Sequence, residues 1–123
     1  MAKRRSRKIT CTIDESNVLT ISNIEVYPRL SDETLAMSAD VELNGKRIGY
    51  VENNGKGEGN YPRVDKPYWE EYRKCEEAVK RHHYHSAATP DYPHTCDWDY
   101  DMDFLIGMMV EAAAYEGKKE YKL

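Results

Sequence analysis

No apolar run in the chain approaches the ~18–20 residues that a membrane-crossing helix needs, so a membrane-spanning role through helices is excluded. There is no Cys-x-x-Cys pair, which excludes the zinc finger, ribbon and knuckle spacings. Cysteines number three, an odd count, and a disulfide framework is not expected. The Gly-x-Ser-x-Gly elbow of α/β-hydrolases is missing, as is the His-x-Glu with Pro-Cys-x-x-Cys of zinc deaminases. The glycines between residues 53 and 60 are not followed by Gly-Lys-Ser/Thr, so they form no Walker A loop and read as a connector. No histidine follows His94, where an HNH-type nuclease needs one. The N-terminus is basic but lacks the apolar stretch of a signal peptide, which points to the cytoplasm.

What remains is 123 residues with 33% charged side chains, the size of one domain with a modest core. The net charge of −4 is unevenly spread. Lys3, Arg4, Arg5, Arg7 and Lys8 form a basic arm over residues 1–8, and residues 9–123, read as a single domain, carry −9. Such a body repels nucleic acid and attracts basic protein surfaces. Direct nucleic-acid contact is expected only of the arm.

The first half has strand periodicity. Ile9, Cys11 and Ile13 alternate with polar residues. From Val18 to about Tyr27 the apolar parity shifts near Ser22-Asn23, predicting a bulge. Asn44-Gly45, between alternating Leu35 to Leu43 and Ile48-Tyr50, predicts a type I′ hairpin that pairs Val41 with Ile48 and Ala39 with Tyr50. The second half reads as helical. Tyr68, Tyr72, Cys75, Val79 and His82 recur at helical spacing after Asp65 and Pro67, predicting a helix to about His85. A last helix is expected from Asp99–Asp103 to a C-cap at Gly117, nearly free of charge and therefore buried all round or docked on a partner. The fold class is α+β: an antiparallel sheet of about four strands followed by two helices packed on one face.

Two constellations carry chemistry. Cys75, His82, His83, His85, His94 and Cys96 fall within 22 residues. Zn²⁺ takes four such N and S donors, so Cys75, His82, His85, His94 and Cys96 are candidate ligands of a structural zinc ion. Downstream, Asp97, Asp99, Asp101 and Asp103 alternate with Trp98, Tyr100, Met102 and Phe104. A calcium loop in that register would place Met102 at the glycine position and Met108 at the bidentate glutamate, so that reading fails. The aspartates either cap the last helix or form a carboxylate-and-aromatic strip resembling phosphates and bases. With Glu76, Glu77, Trp69 and Trp98 they are the candidate partner-binding residues.

Residues 30–60, from Leu-Ser-Asp-Glu-Thr-Leu through Leu-Asn-Gly-Lys-Arg-Ile-Gly to Val-Glu-Asn-Asn-Gly-Lys-Gly, resemble a segment of small phage and mobile-element proteins, some of them similar to anti-CRISPR inhibitors of type II Cas9. The resemblance implies a non-enzymatic inhibitor in a bacterial host cell. Its expected partner is a host nucleic-acid-handling protein with a basic surface, most simply Cas9 or its guide-loaded complex. Two alternatives stand beside it. One is a metal-dependent nuclease using His82, His83 and His85, because His83-Tyr84-His85 matches the His-hydrophobic-His pair of some nicking endonucleases. The other is a structural zinc module joined to an assembly through Met102, Met108 and Met109.

Overall fold

The computed structural model describes residues 7–30, 34–91 and 93–123. Residues 1–6 of the basic arm lie outside them. The arm ends sooner than expected, since Lys8 opens the first strand and Arg7 O accepts from Ile24 N. Five strands form one antiparallel meander in sequence order: β1 (Lys8–Asp14), β2 (Asn17–Val26), β3 (Met37–Leu43), β4 (Lys46–Asn53) and β5 (Arg63–Val64). After a 3₁₀ turn at Lys66–Tyr68 come α1 (Trp69–Val79), a separate antiparallel hairpin of β6 (His83–Ser86) and β7 (Cys96–Asp99), and α2 (Met102–Glu116). The α+β class holds; the sheet has a fifth strand, and a second small sheet was not foreseen.

The alternation of β1 does what it predicts: Ile9, Cys11 and Ile13 are buried and Thr10 and Thr12 are not. The β2 bulge is present, with Asn23 at φ 50° and the pairing shifting between Ser22–Asp40 and Glu25–Ser38. The turn between β3 and β4 has φ 52° at Asn44 and 83° at Gly45, the positive pair a type I′ turn requires. Its register departs from expectation after two pairs. Glu42 faces Arg47, but Val41 faces Gly49 and Ala39 faces Val51. The extra residue at Ile48 is a bulge that turns Val51 inward and sends Glu52 out beside Ser38, removing a Met37–Glu52 mismatch that a straight ladder would have built.

Both helices lie against β1, and α2 also against β2. Cys75, Ala78 and Val79 of α1 and Met102, Leu105, Ile106, Met109 and Val110 of α2 complete one cluster with the sheet's inner residues. Gly117 at φ 65° ends α2 as the expected left-handed cap. The tail then returns to β1, where Thr10 N donates to Lys119 O and Tyr121 N to Thr10 O. Among the described residues no helix is long and apolar enough to cross a membrane.

Two local expectations are corrected. The first long helix ends at Val79, not near His85. Arg81 N and His82 N bond three residues back, tightening the last turn, and the chain then extends. The 53–60 loop is organised rather than a loose connector. The buried Asn53 side chain donates to Glu58 O and Asn60 Oδ1 and accepts from Gly55 N and Thr34 Oγ1, all within 2.9 Å.

Candidate functional site

The β6–β7 hairpin sorts the predicted residues by strand parity. His83 pairs with Asp99, Tyr84 with Trp98, His85 with Asp97 and Ser86 with Cys96. His83, His85, Asp97 and Asp99 are therefore on the outward face, and all four are exposed. Tyr84 and Trp98 go to the other face and stack on each other, centroids 5.4 Å apart, with Phe104 of α2 set edge-on to both at 4.9 and 5.3 Å. Tyr100 closes the group against Phe104 at 5.3 Å. These contacts anchor a hairpin that two strands alone would scarcely hold.

The five expected zinc ligands are not brought together. Cys75 is 1% exposed in the core, where burial pushes its thiol up to about 12, opposing the thiolate a metal ligand needs. The His82 ring bonds through Nε2 to Ile13 O at 2.8 Å. Cys96 is on the face opposite His85, and His94 is exposed outside the strands. The helix expected to reach His85 carries neither His82 nor His85, because both lie beyond α1. Among the described residues no three His, Cys, Asp or Glu side chains are arranged to hold a metal ion. Instead His83 bridges two carboxylates, Nδ1 to Asp99 at 3.0 Å and Nε2 to Asp97. The hydrogen bonds to Asp99 and then Asp97 hold His83 above its ordinary pKa, and the bond from His83 holds Asp97 below its own.

The four aspartates divide by role. Asp97 and Asp99 serve the hairpin. Asp101 caps α2 by accepting from Phe104 N at 2.8 Å, and Asp103 accepts from Asn60 N at 2.6 Å. Asp99, Asp101 and Asp103 nevertheless share one open groove of about 430 Å³ with Glu111, over a floor of Trp98, Phe104, Met108 and the backbone of Gly107. No lysine or arginine lines it among the described residues. A Cβ on Gly107 would come 3.1 Å from Asn60 Nδ2, so the glycine lets the loop sit close against α2.

A second, smaller groove contains Trp69, Tyr72, Arg73 and Glu76. Trp69 is 55% exposed and donates from Nε1 to Val64 O at 2.7 Å, while Glu76 accepts from the Tyr72 hydroxyl. Exposed Tyr61 lies between the grooves in the chain, and its phenol is raised chiefly by Asp103, then by slight burial, Asp101 and Glu76. Glu76 lines this second groove, beside Arg73, and not the first. Glu77 is exposed on α1, and it lines neither groove. Of the proposed methionine surface only Met108 is accessible, since Met102 and Met109 are buried.

Sequence reasoning placed Phe104 in the carboxylate-and-aromatic strip but missed Glu111 and Tyr61 as parts of this face. The helical spacing of half-buried Phe104, Gly107 and Met108 with exposed Glu111 was the available signal. Comparison of the chain with protein-family models, with curated proteins and with solved structures finds no match.

Proposed function

We propose that this protein acts by binding, docking its acidic and aromatic face on a basic surface of a nucleic-acid-handling protein and blocking it. The observation that carries the reading is the groove in which four carboxylates surround exposed Trp98 and half-buried Phe104 and Met108, with no basic side chain among the described residues that line it. Carboxylates spaced between aromatic rings offer a Lys- and Arg-rich cleft charge and stacking of the kind it finds in nucleic acid. Tryptophan at the centre of such a face is a frequent energetic anchor. Because residues 30–60 resemble a segment of small phage and mobile-element proteins, some of them similar to anti-CRISPR inhibitors, Cas9 is the first partner to test.

The test is a plasmid-cleavage gel with guide-loaded Cas9 at low salt, the protein titrated in. Expected is loss of cutting, restored by Asp99→Lys with Glu111→Lys, two positions that bear no helix cap. Undiminished cutting, or full inhibition by the double variant, removes Cas9 or this face respectively.

A second reading is favoured by one observation: His83-Tyr84-His85 lies on a strand, both rings on one face opposite Asp97 and Asp99. The matching pair of metal-dependent nicking endonucleases usually sits on a strand too, although among the described residues no third donor is arranged beside these two to hold the metal. Plasmid nicked by the protein alone, and protected by chelator, supports it; intact plasmid with added Mg²⁺ or Mn²⁺ rejects it.

A further inference from the structure

We propose that the groove between Trp98 and α2 is a seat for one arginine side chain of the partner; this deepens, and rests on, the binding reading above. The lining selects the ligand's charge. An anionic group would meet Asp99, Asp101, Asp103 and Glu111 with no compensating base. A neutral apolar group would strip water from those carboxylates with nothing in return. A cation satisfies both the carboxylates and the aromatic floor.

Three of the four carboxylates are already pinned through one oxygen. Asp99 is held by His83 Nδ1 at 3.0 Å, Asp101 by Phe104 N at 2.8 Å and Asp103 by Asn60 N at 2.6 Å. Fixed acceptors lose little freedom on binding, which favours an incoming donor. Trp98 is fixed as well, stacked on Tyr84 and T-shaped to Phe104.

Size and shape select arginine. The groove, about 430 Å³, sits low in the ~300–1,000 Å³ range of sites that enclose small molecules, so it takes one long side chain rather than a folded segment. A guanidinium is planar, stacks on indole and phenyl rings and pairs with a carboxylate through two parallel N–H bonds. An ammonium is a hydrated point charge that does only part of this.

The experiment uses full-length protein carrying Trp69→Phe, which leaves Trp98 as the sole tryptophan. Its emission is followed while blocked hexa-arginine or hexa-lysine peptide is added at fixed ionic strength. Expected is saturable binding with the arginine peptide about three- to fivefold tighter, the advantage a cation–π contact gives at a partly exposed site. Met108→Lys, which places the protein's own cation at the groove, should abolish that preference, and Glu111→Gln should weaken arginine binding. Far-UV circular dichroism confirms that each variant is folded. Equal affinity for both peptides, or an arginine preference that survives Met108→Lys, overturns the seat.

Partner binding separates the two levels of the argument. If Asp99→Lys with Glu111→Lys abolishes capture of the partner while Met108→Lys does not, the seat is wrong and the acidic face stands. If neither variant affects capture, the binding face itself is wrong.

Discussion

Replacing Phe104 by alanine tests whether the hairpin is an independent unit held by its aromatic anchor. Phe104 contacts the rings of Tyr84, Trp98 and Tyr100 at 4.9, 5.3 and 5.3 Å. Full burial of a Phe is worth ~3–5 kcal/mol on truncation, and this side chain is half-buried, which leaves about 2 kcal/mol. The loss should fall on the hairpin, because among the described residues β6 and β7 pair only with each other while β1–β5 form a separate sheet. A local loss of about 2 kcal/mol raises the opening constant about thirtyfold. Amide hydrogen exchange should therefore quicken by that factor over residues 83–86 and 96–99, with β2 and β3 nearly unchanged. Uniform acceleration across both sheets, or none in the hairpin, would refute this division of the structure.

Other consequences are as direct. The folded state raises His83 and lowers Asp97. The His83 contribution is complete below its ordinary 6.5 and fades as pH rises through the raised value; that of Asp97 is present above 3.8 and fades as pH falls through the lowered one. Hairpin exchange should be slowest between those limits, and His83→Gln should flatten the alkaline side; an unchanged profile contradicts the bridge. Asn53→Ala removes four loop bonds, leaving Gly55 N and Glu58 O unpaired, and should cost about 3 kcal/mol, or about 10 °C in thermal midpoint. A midpoint within ~2 °C of the parent would show that the loop does not depend on that side chain. Cys75→Ala should lose about 1 kcal/mol of packing, equally with and without chelator. If chelator destabilises only the parent protein, Cys75 ligates metal after all.

Local signals were legible where they were also decisive. Asn44-Gly45 announces its turn because both positions need positive φ, and the parity slip at Ser22-Asn23 announces its bulge because one face must stay buried. The bulge at Ile48 has no comparable mark; it follows from which residue of β4 best fills the space beside Ala39. The end of α1 was hidden because Val79 and His82 continue a helical spacing, whereas the strand after it exists only through pairing ten or more residues downstream. The alternation from Asp97 to Tyr100 was itself a strand signature, read for its charge rather than its period. The acidic face was legible as composition. That Asp101 and Asp103 are also tied to the fold was not, because their donors, Phe104 N and Asn60 N, are set by tertiary structure.

The tail that bonds to Thr10 imposes an order on assembly. Lys119 and Tyr121 are the groups that complete the outer edge of β1, and the Tyr121 hydroxyl meets that of Tyr100 at 2.7 Å. At ~5–20 residues per second of synthesis, the first strand emerges on the order of ten seconds before the segment that covers it. Through that interval β1 can pair with β2 yet presents unpaired amides and carbonyls on its far side, open to the same strand of a neighbouring nascent chain. A truncation before Lys119 would make that interval permanent, turning a folding-time hazard into a standing tendency to associate edge to edge.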